Sequence, residues 1–453
     1  MIDTKSLRKN LLSLAVTGKL TEQSEKDTPL SDDLNEYIPK MDIELPEIPT
    51  NWKYCKFDKV LINRDSERIP VSVADRKKLD KVYDYYGASG VIDKVDSYLF
   101  DETLLLIGED GANLLSRSTP IAFLAHGKYW VNNHAHVLAP TEHILLEYAE
   151  IVINSMSLVP FVTGAAQPKL SQNMMNKIAI PVPPLEEQQR IVDVVKESFK
   201  ILDTIDELQR AYVSDVEVLK SKLIDAGIQG KLTEQLSEDG TAEELYSLML
   251  EEKKQILKDR KGREDKNIKD VDIDSPYELP GNWKWVRFGE IGLFKKGPFG
   301  SALTKSMFVP KSDDTVKVYE QQHAIQKNSE LGTYYITREY FDDKMRGFEV
   351  LPGDILVSCA GTIGETYILP DEIEQGIINQ ALMRVSLVPS VNKRFFQYYF
   401  DANLKKTAQE ESNGSAIKNI PPFDVMKNWY FPLAPLKEQE RIVEKIEELL
   451  ALI

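Results

Sequence analysis

The chain has 453 residues, 42% of them apolar and 28% charged, which excludes both a single small module and a wholly disordered polymer. Its formal charge of −16 argues against nucleic acid until the distribution is read: residues 51–180 carry a net −1 and residues 282–431 a net 0, so the acidity lies outside those two blocks. Two cysteines far apart, Cys55 and Cys359, and no basic-then-apolar leader or long apolar run lead to the expectation of a cytoplasmic chain without a membrane span.

The first predicted element is a short helix with Leu7, Leu11, Leu12 and Leu14 on one stripe, followed by GKLTEQ at Gly18 to Gln23. A linker over 24–50 leads into IPTNWKYCKF, Ile48 to Phe57. Residues 51–180 then mix β-rich runs such as Thr103 to Ile107 with turns at Gly108 and Gly111 and a helical stretch, Ile144 to Ser155. At PVPPLEEQQRIV, Pro181 to Val192, prolines tolerated before a helix and acids suited to its N-terminus predict a helix start. Apolar residues recur every three or four positions at Val192, Val195, Phe199, Leu202, Ile205, Leu208, Tyr212, Val216, Leu219 and Leu223. From Leu185 to Ala226 this helix would run about 60 Å, stopping near Gly227 and Gly230. A stripe that long needs partner helices.

GKLTEQ returns at Gly230 to Gln235, and residues 236–280 read as a solvated, charge-dense helix and linker. A second block, 281–431, is entered through LPGNWKWVRF, Leu279 to Phe288, and carries Asp354 to Ser358, Gly361, Gly364 and the helical Lys393 to Phe400. PLAPLKEQERIV, Pro432 to Val443, restarts a helix striped by Ile442, Val443, Ile446, Leu449 and Leu450. These matched pairs put the proline motif and then GKLTEQ in the middle, whereas the chain begins with GKLTEQ and ends with the proline motif. The two termini therefore copy the middle, as in a closed, pseudo-twofold chain.

The fold class expected is α+β: two similar domains separated by a long antiparallel helical, coiled-coil spacer. The boundaries are an N-terminal spacer helix at 1–23, linker 24–50, first domain 51–180, central spacer helix 181–235, charged helical linker 236–280, second domain 281–431 and C-terminal spacer helix 432–453. Asn133-His134-Ala135 and Asn379-Gln380-Ala381 align after the glycine-rich turns, and amide or imidazole groups there suit hydrogen bonding to base edges. Between these anchors the blocks diverge, with Tyr83 to Gly90 in one and Lys295 to Ser301 in the other, as if one scaffold carried two reading surfaces. The candidate DNA contacts are Tyr86, Ser89, Asn133, His134, Lys169 and Gln172 in the first domain, and Lys296, Ser301, Gln322, His323, Asn379 and Lys418 in the second.

The doubled PLxEQxRIV helix starts, the doubled GKLTEQ, the NW motif, YYGASGVIDKVDSYLFD (Tyr85 to Asp101) and GPFGSALTKSMFV (Gly297 to Val309) resemble the DNA specificity subunit of bacterial type I restriction-modification enzymes over nearly the whole chain. The resemblance implies two target-recognition domains, each reading half of a bipartite double-stranded DNA site, and no catalytic activity. It further implies two adenine methyltransferase subunits bringing S-adenosylmethionine and two translocase-nuclease subunits using ATP and Mg, with no cofactor on this chain. Subunit docking would fall on Leu185, Gln188, Arg190, Leu436, Gln439 and Arg441. The half-sites would lie about one helical turn, ~34 Å, apart.

The enzyme readings are weak. Asn419-Ile420-Pro421-Pro422-Phe423 resembles the adenine methyltransferase motif, but Ile420 breaks its spacing and no glycine-rich cofactor loop accompanies it. No G-x-x-x-x-G-K-[ST] loop occurs, and His134 and His136 lack a recognisable metal-ligand spacing. The alternative from another class is a protein-binding scaffold with two homologous modules on a helical spacer and no DNA partner.

Overall fold

The computed structural model describes residues 1–41, 43–164, 167–260, 268–271, 275–360, 362–412 (backbone only over 405–412) and 420–453. The chain divides into two compact units, Met1–Tyr212 and Val213–Ile453. The first unit contains strands β1 (Lys53–Lys56), β2 (Leu61–Asn63), β3 (Tyr83–Gly87), β4 (Gly90–Val95), β5 (Phe100–Asp101), β6 (Leu104–Gly108), β7 (Ala122–Ala125), β8 (Lys128–Val131), β9 (Ala135–Pro140) and β10 (Ala179–Val182). The second contains β11 (Lys284–Arg287), β12 (Gly292–Lys296), β13 (Thr315–Tyr319), β14 (Tyr335–Thr337), β15 (Glu349–Val350), β16 (Ile355–Ser358), β17 (Thr366–Ile368), β18 (Gly376–Ile378), β19 (Leu382–Leu387) and β20 (Tyr430–Leu433).

The two units have one topology. The first holds a β1-β10 pair and four-stranded sheets β2-β9-β6-β7 and β4-β3-β8-β5; the second holds β11-β20, β12-β19-β16-β17 and β14-β13-β18-β15. Each counterpart differs by ten in strand number, and even the parallel pairing recurs, β3 with β8 and β13 with β18. Central strands are buried because both faces are covered: every residue of β6 is buried, and so is every residue of β19. Buried Arg384 and Ser386 on β19 are tolerated because Arg384 donates to the Glu349 carbonyl and Ser386 Oγ donates to Asp354 at 2.7 Å.

A single α-helix runs Leu185–Ile228. In the first unit the N-terminal helix, Thr4–Val16, lies against the helix Leu146–Ser155. It also runs antiparallel to the start of the long helix: Thr4 Oγ1 donates to Asp206 at 2.5 Å and Arg8 pairs with Asp203 at 2.8 Å. In the second unit the C-terminal helix, Leu436–Leu450, runs antiparallel to the far end of the long helix, with Ile446 and Ile442 closing over Gly227.

Two expectations are corrected. The apolar stripe is buried only toward its N-terminal end, at Val192, Val195 and Leu202, whereas Leu208 is 65% and Tyr212 61% exposed. The N-terminal helix begins at Thr4, beside Asp206, and so stops short of them. The tract 236–280 is not merely solvated either: its helix, Ala242–Asp259, buries Ala242, Met249 and Lys253. Lys253 Nζ donates to the Gly289 carbonyl, Tyr246 to Glu290 at 2.6 Å, and Arg260 just beyond pairs with Asp354 at 2.7 Å. A charged stripe conceals an inward face when its lysine stems lie on apolar surface and their heads find carbonyls.

Candidate nucleic-acid interface

In the first unit, three turns meet at one end of the sheets: Ala88-Ser89 between β3 and β4, Glu109 onward after β6, and Asn132 to His134 between β8 and β9. Backbone bonds knit them, Asn132 N–H to the Tyr86 carbonyl at 3.1 Å and Glu109 N–H to the His134 carbonyl at 2.9 Å. Gly108 sits where a Cβ would lie 2.6 Å from the Ala88 carbonyl oxygen, so the close approach requires glycine. The adjoining segment Gln167 to Leu170 joins through the Leu170 N–H, which donates to the Glu109 carbonyl at 2.8 Å.

The second unit repeats the knot. Asn379 N–H donates to the Tyr319 carbonyl at 3.0 Å and Cys359 N–H to the Ala381 carbonyl at 2.8 Å. Asn132 Oδ1 accepts from the N–H two residues on, at His134, just as Asn379 Oδ1 accepts from Ala381. These bonds equate Asn132 with Asn379, Asn133 with Gln380, and His134 with Ala381. The sequence alignment of Asn133 with Asn379 is therefore one residue out of register.

The candidate residues separate accordingly. Ser89, Asn133, His134, Lys169 and Gln172 are exposed in the first unit, the first four on the knitted turns and their adjoining segment. Tyr86 is half-buried and stacks on Phe123 with centroids 5.9 Å apart, a packing role. In the second unit Lys296 and Ser301 are exposed. Asn379 staples its turn, leaving the exposed Gln380 as the side chain that faces outward. Gln322 is half-buried, its Nε2 donating to Glu320 at 2.8 Å.

His323 is fully buried, with Nε2 2.6 Å from the Leu331 carbonyl, and burial lowers its pKa, so it is an interior residue and not a DNA contact. His136 is likewise interior, 1% exposed, with Nδ1 2.6 Å from Asp65 and Nε2 2.7 Å from the Leu170 carbonyl. Lys418 lies outside the described residues.

The surfaces differ in chemistry where their backbones agree. The first carries Arg68 on Glu109 at 2.7 Å, Lys169 on Glu109 at 3.0 Å and His134 on Asp110 at 2.7 Å. Burial works to raise the Glu109 carboxyl, but the hydrogen bonds from Arg68 and Lys169 outweigh it and keep it below the ordinary range. Cys359 and Ala381 occupy the places of Glu109 and His134 in the second unit. Asp65, Glu109 and His136 lie close enough to share an ion. Their ligand atoms are already spoken for by Arg68, Lys169 and the Leu170 carbonyl, which makes them an ion-pair network. Asp33, Glu142 and His143 form a second, more exposed group.

At the helix starts, the repeated sequence motifs fold onto one another. Buried Glu187 accepts from Trp52 Nε1 at 2.9 Å, Gln23 at 2.7 Å and Thr21 at 3.2 Å, while Glu438 accepts from Gln235 at 3.0 Å and Asn282 at 3.1 Å. Arg190 grips Asp27 and Arg441 grips Asp239, each at 2.6 Å. Gln188 and Gln439 are fully buried and are not surface docking residues. Gln188 binds the Leu145 N–H and the His143 and Pro183 carbonyls, and Gln439 the Asn392 N–H and the Ser390 and Ala434 carbonyls. Leu185 is 42% exposed and Leu436 half-buried. Sequence reasoning did not single out Glu187 and Glu438, though their identity in the two proline motifs was the available signal.

The described residues include no helix long and apolar enough to cross a membrane. The family model of the type I restriction modification DNA specificity domain matches residues 49–211 and again 280–453. Among curated proteins, a putative type I restriction enzyme specificity subunit of Haemophilus influenzae is 26% identical over 386 residues, covering 80% of this chain and 79% of its own. The EcoAI specificity subunit of Escherichia coli is 21% identical over 98% of this chain and 89% of its own. The HsdS subunit of Thermoanaerobacter tengcongensis superimposes with a TM-score of 0.50 at 16% identity, over 90% of this chain and 91% of that one. A chain from a structural study of type I R-M complex assembly gives 0.56 at 15%, over 90% and 92%. With both halves matched and the same strand order in each, the chain belongs to the family of type I restriction-modification DNA specificity subunits.

Proposed function

We propose that the two loop clusters are the DNA-reading surfaces of this non-catalytic specificity subunit, each addressing one half of a bipartite double-stranded site. The observation that carries this is the pair of identical backbone knots bearing unlike side chains: Glu109, Asn133 and His134 in one, Cys359, Gln380 and Ala381 in the other. A common scaffold with different edge donors and acceptors is what two different half-sites require. The reading set is Ser89, Asn133, His134, Lys169 and Gln172 with Lys296, Ser301, Gln322 and Gln380. Lys418 belongs to it by sequence position.

The helix starts, through exposed Leu185 and half-buried Leu436 beside Arg190 and Arg441, would dock two adenine methyltransferase subunits, with two translocase-nuclease subunits completing the assembly. S-adenosylmethionine and ATP with Mg would be bound by those partners. Because the chain is strongly acidic overall, the partners would supply much of the positive surface that phosphates need. The family match does not favour a DNA-free protein scaffold, and the same assays would separate it from a DNA reader.

Replacing residues 282–431 by the corresponding domain of another specificity subunit is expected to change one half of the recognised site, read by mapping methylated adenines, and to leave the other half unaltered. Binding of the assembled complex should fall steeply as salt rises. Recognition of an unrelated, unsplit sequence after the exchange, or no salt-sensitive DNA complex, would overturn the proposal.

A further inference from the structure

Phe299 is 88% exposed, the only phenylalanine among the described residues left bare to this degree. A single exposed apolar side chain is ordinary on a protein surface, so the surroundings decide whether it matters. Its backbone is fixed from both sides. Gly297 N–H donates to the Leu382 carbonyl at 2.9 Å, and the Gly297 Cα packs so tightly on Asn379 that a Cβ would collide with the Asn379 carbonyl oxygen. Pro298 is buried. On the other side Ala302 N–H donates to the Phe299 carbonyl at 2.8 Å, Leu303 is 3% exposed, and Tyr340 Oη donates to the Ala302 carbonyl at 2.7 Å. The ring thus stands on a rigid platform braced against the turn that presents Gln380.

The charge of the segment supplies the second, independent observation. From Ile291 to Ser312 the chain carries Lys295, Lys296, Lys305 and Lys311 and no carboxylate, within a protein of net charge −16; Lys311 is paired with Glu374 at 2.9 Å, which leaves Lys295, Lys296 and Lys305 to meet phosphates. An aromatic ring held rigidly in a cationic segment matches the chemistry of nucleic-acid contact, in which lysines meet phosphates and a ring stacks on or wedges between bases. An apolar protein partner would not account for the lysines.

We infer that Phe299 is a stacking wedge, its ring inserted against a base step in the half-site read by the second domain. The inference rests on the DNA-reading role proposed above and adds a contact that needs no hydrogen bond. A ring that parts or caps a base step prefers the flexible pyrimidine–purine steps, so Phe299 would also favour such a step at its point of contact.

The test uses the full chain assembled with its methyltransferase subunits and a duplex carrying the recognised sequence, with 2-aminopurine placed in turn at positions of the second half-site. Phe299→Ala is expected to weaken binding about tenfold to a hundredfold while the slope of log affinity against log salt stays as in the wild type. Phe299→Trp should retain binding and Phe299→Leu should lose most of it. Lys296→Ala should instead reduce the salt slope by about one. One probe position should brighten with the wild-type chain and stay quenched with Phe299→Ala.

Wild-type affinity and unaltered probe fluorescence for Phe299→Ala would overturn the wedge while leaving the loop-cluster reading intact. Intact DNA affinity with lost co-purification of the methyltransferase would reassign Phe299 to a protein contact. Failure of the wild-type assembly to bind DNA at all would sink the loop-cluster reading itself, and the wedge with it.

Discussion

Glu150 shows how one side chain sets a pH dependence. It sits on the helix Leu146–Ser155 facing the groove beside Val195 and Phe199, and burial, with the Glu147 charge adding to it, raises its carboxyl to about 7. The folded state therefore holds a proton that the unfolded chain releases near the ordinary glutamate value, so this contribution to stability is complete below about pH 4.5 and disappears as pH rises to about 7. Glu150→Gln should abolish that loss, leaving the variant more stable than the wild type at pH 8 by on the order of 2 kcal/mol, and urea titrations at pH 5 and pH 8 would read the difference. A variant with the same pH profile as the wild type would refute the assignment. Little of this was legible beforehand, because whether a carboxyl is buried depends on which helices cover it. The same limit applies at Asn379 and His323: both have base-reading chemistry, and only the packing of the turns reveals that one staples its own loop and the other faces the core.

Secondary-structure elements were easier to read where the sequence repeats. The proline motif and GKLTEQ recur because they are complementary parts of one tertiary unit, the glutamate and arginine of the first holding the turn formed by the second. Gly18 and Gly230 show the constraint most sharply. Both have positive φ, +69° and +68°, and a Cβ would lie 2.3 Å from Pro49 in one case and 2.5 Å from Pro280 in the other. Gly18→Ala and Gly230→Ala should each cost about 2–3 kcal/mol, adding left-handed strain to the clash, and chemical denaturation would measure it. A loss under about 0.5 kcal/mol, the size of an ordinary surface change, would mean the proline moves aside freely. The helix Ala242–Asp259 lacks such a marker: it has no copy in the first half, and its few apolar contacts are spread among lysines and glutamates, so composition alone described it as solvated.

At the scale of the molecule, the buried apolar clusters of the described residues each fall wholly within Met1–Tyr212 or Val213–Ile453, although the boundary cuts the long helix. The reason lies in the order of the repeats. Because the chain ends copy its middle, each half of the long helix meets a terminal helix in its own unit: Arg8 reaches Asp203 in the first, and Ile442 and Ile446 cover Gly227 in the second. Cooperativity follows shared core, so the two units should unfold as separate events, which two-state analysis of the whole chain would misrepresent. Calorimetry is expected to resolve two transitions. Met249→Ala, which empties a fully buried site in the second unit, should lower only one of them, by the equivalent of about 2–4 kcal/mol. Fragments 1–212 and 213–453 should then each reproduce one transition, since severing the helix between exposed Tyr212 and Val213 removes no core contact. A single transition that Met249→Ala shifts as a whole would show that the helix transmits stability along its length, and the duplicated halves would have to be treated as one folding unit.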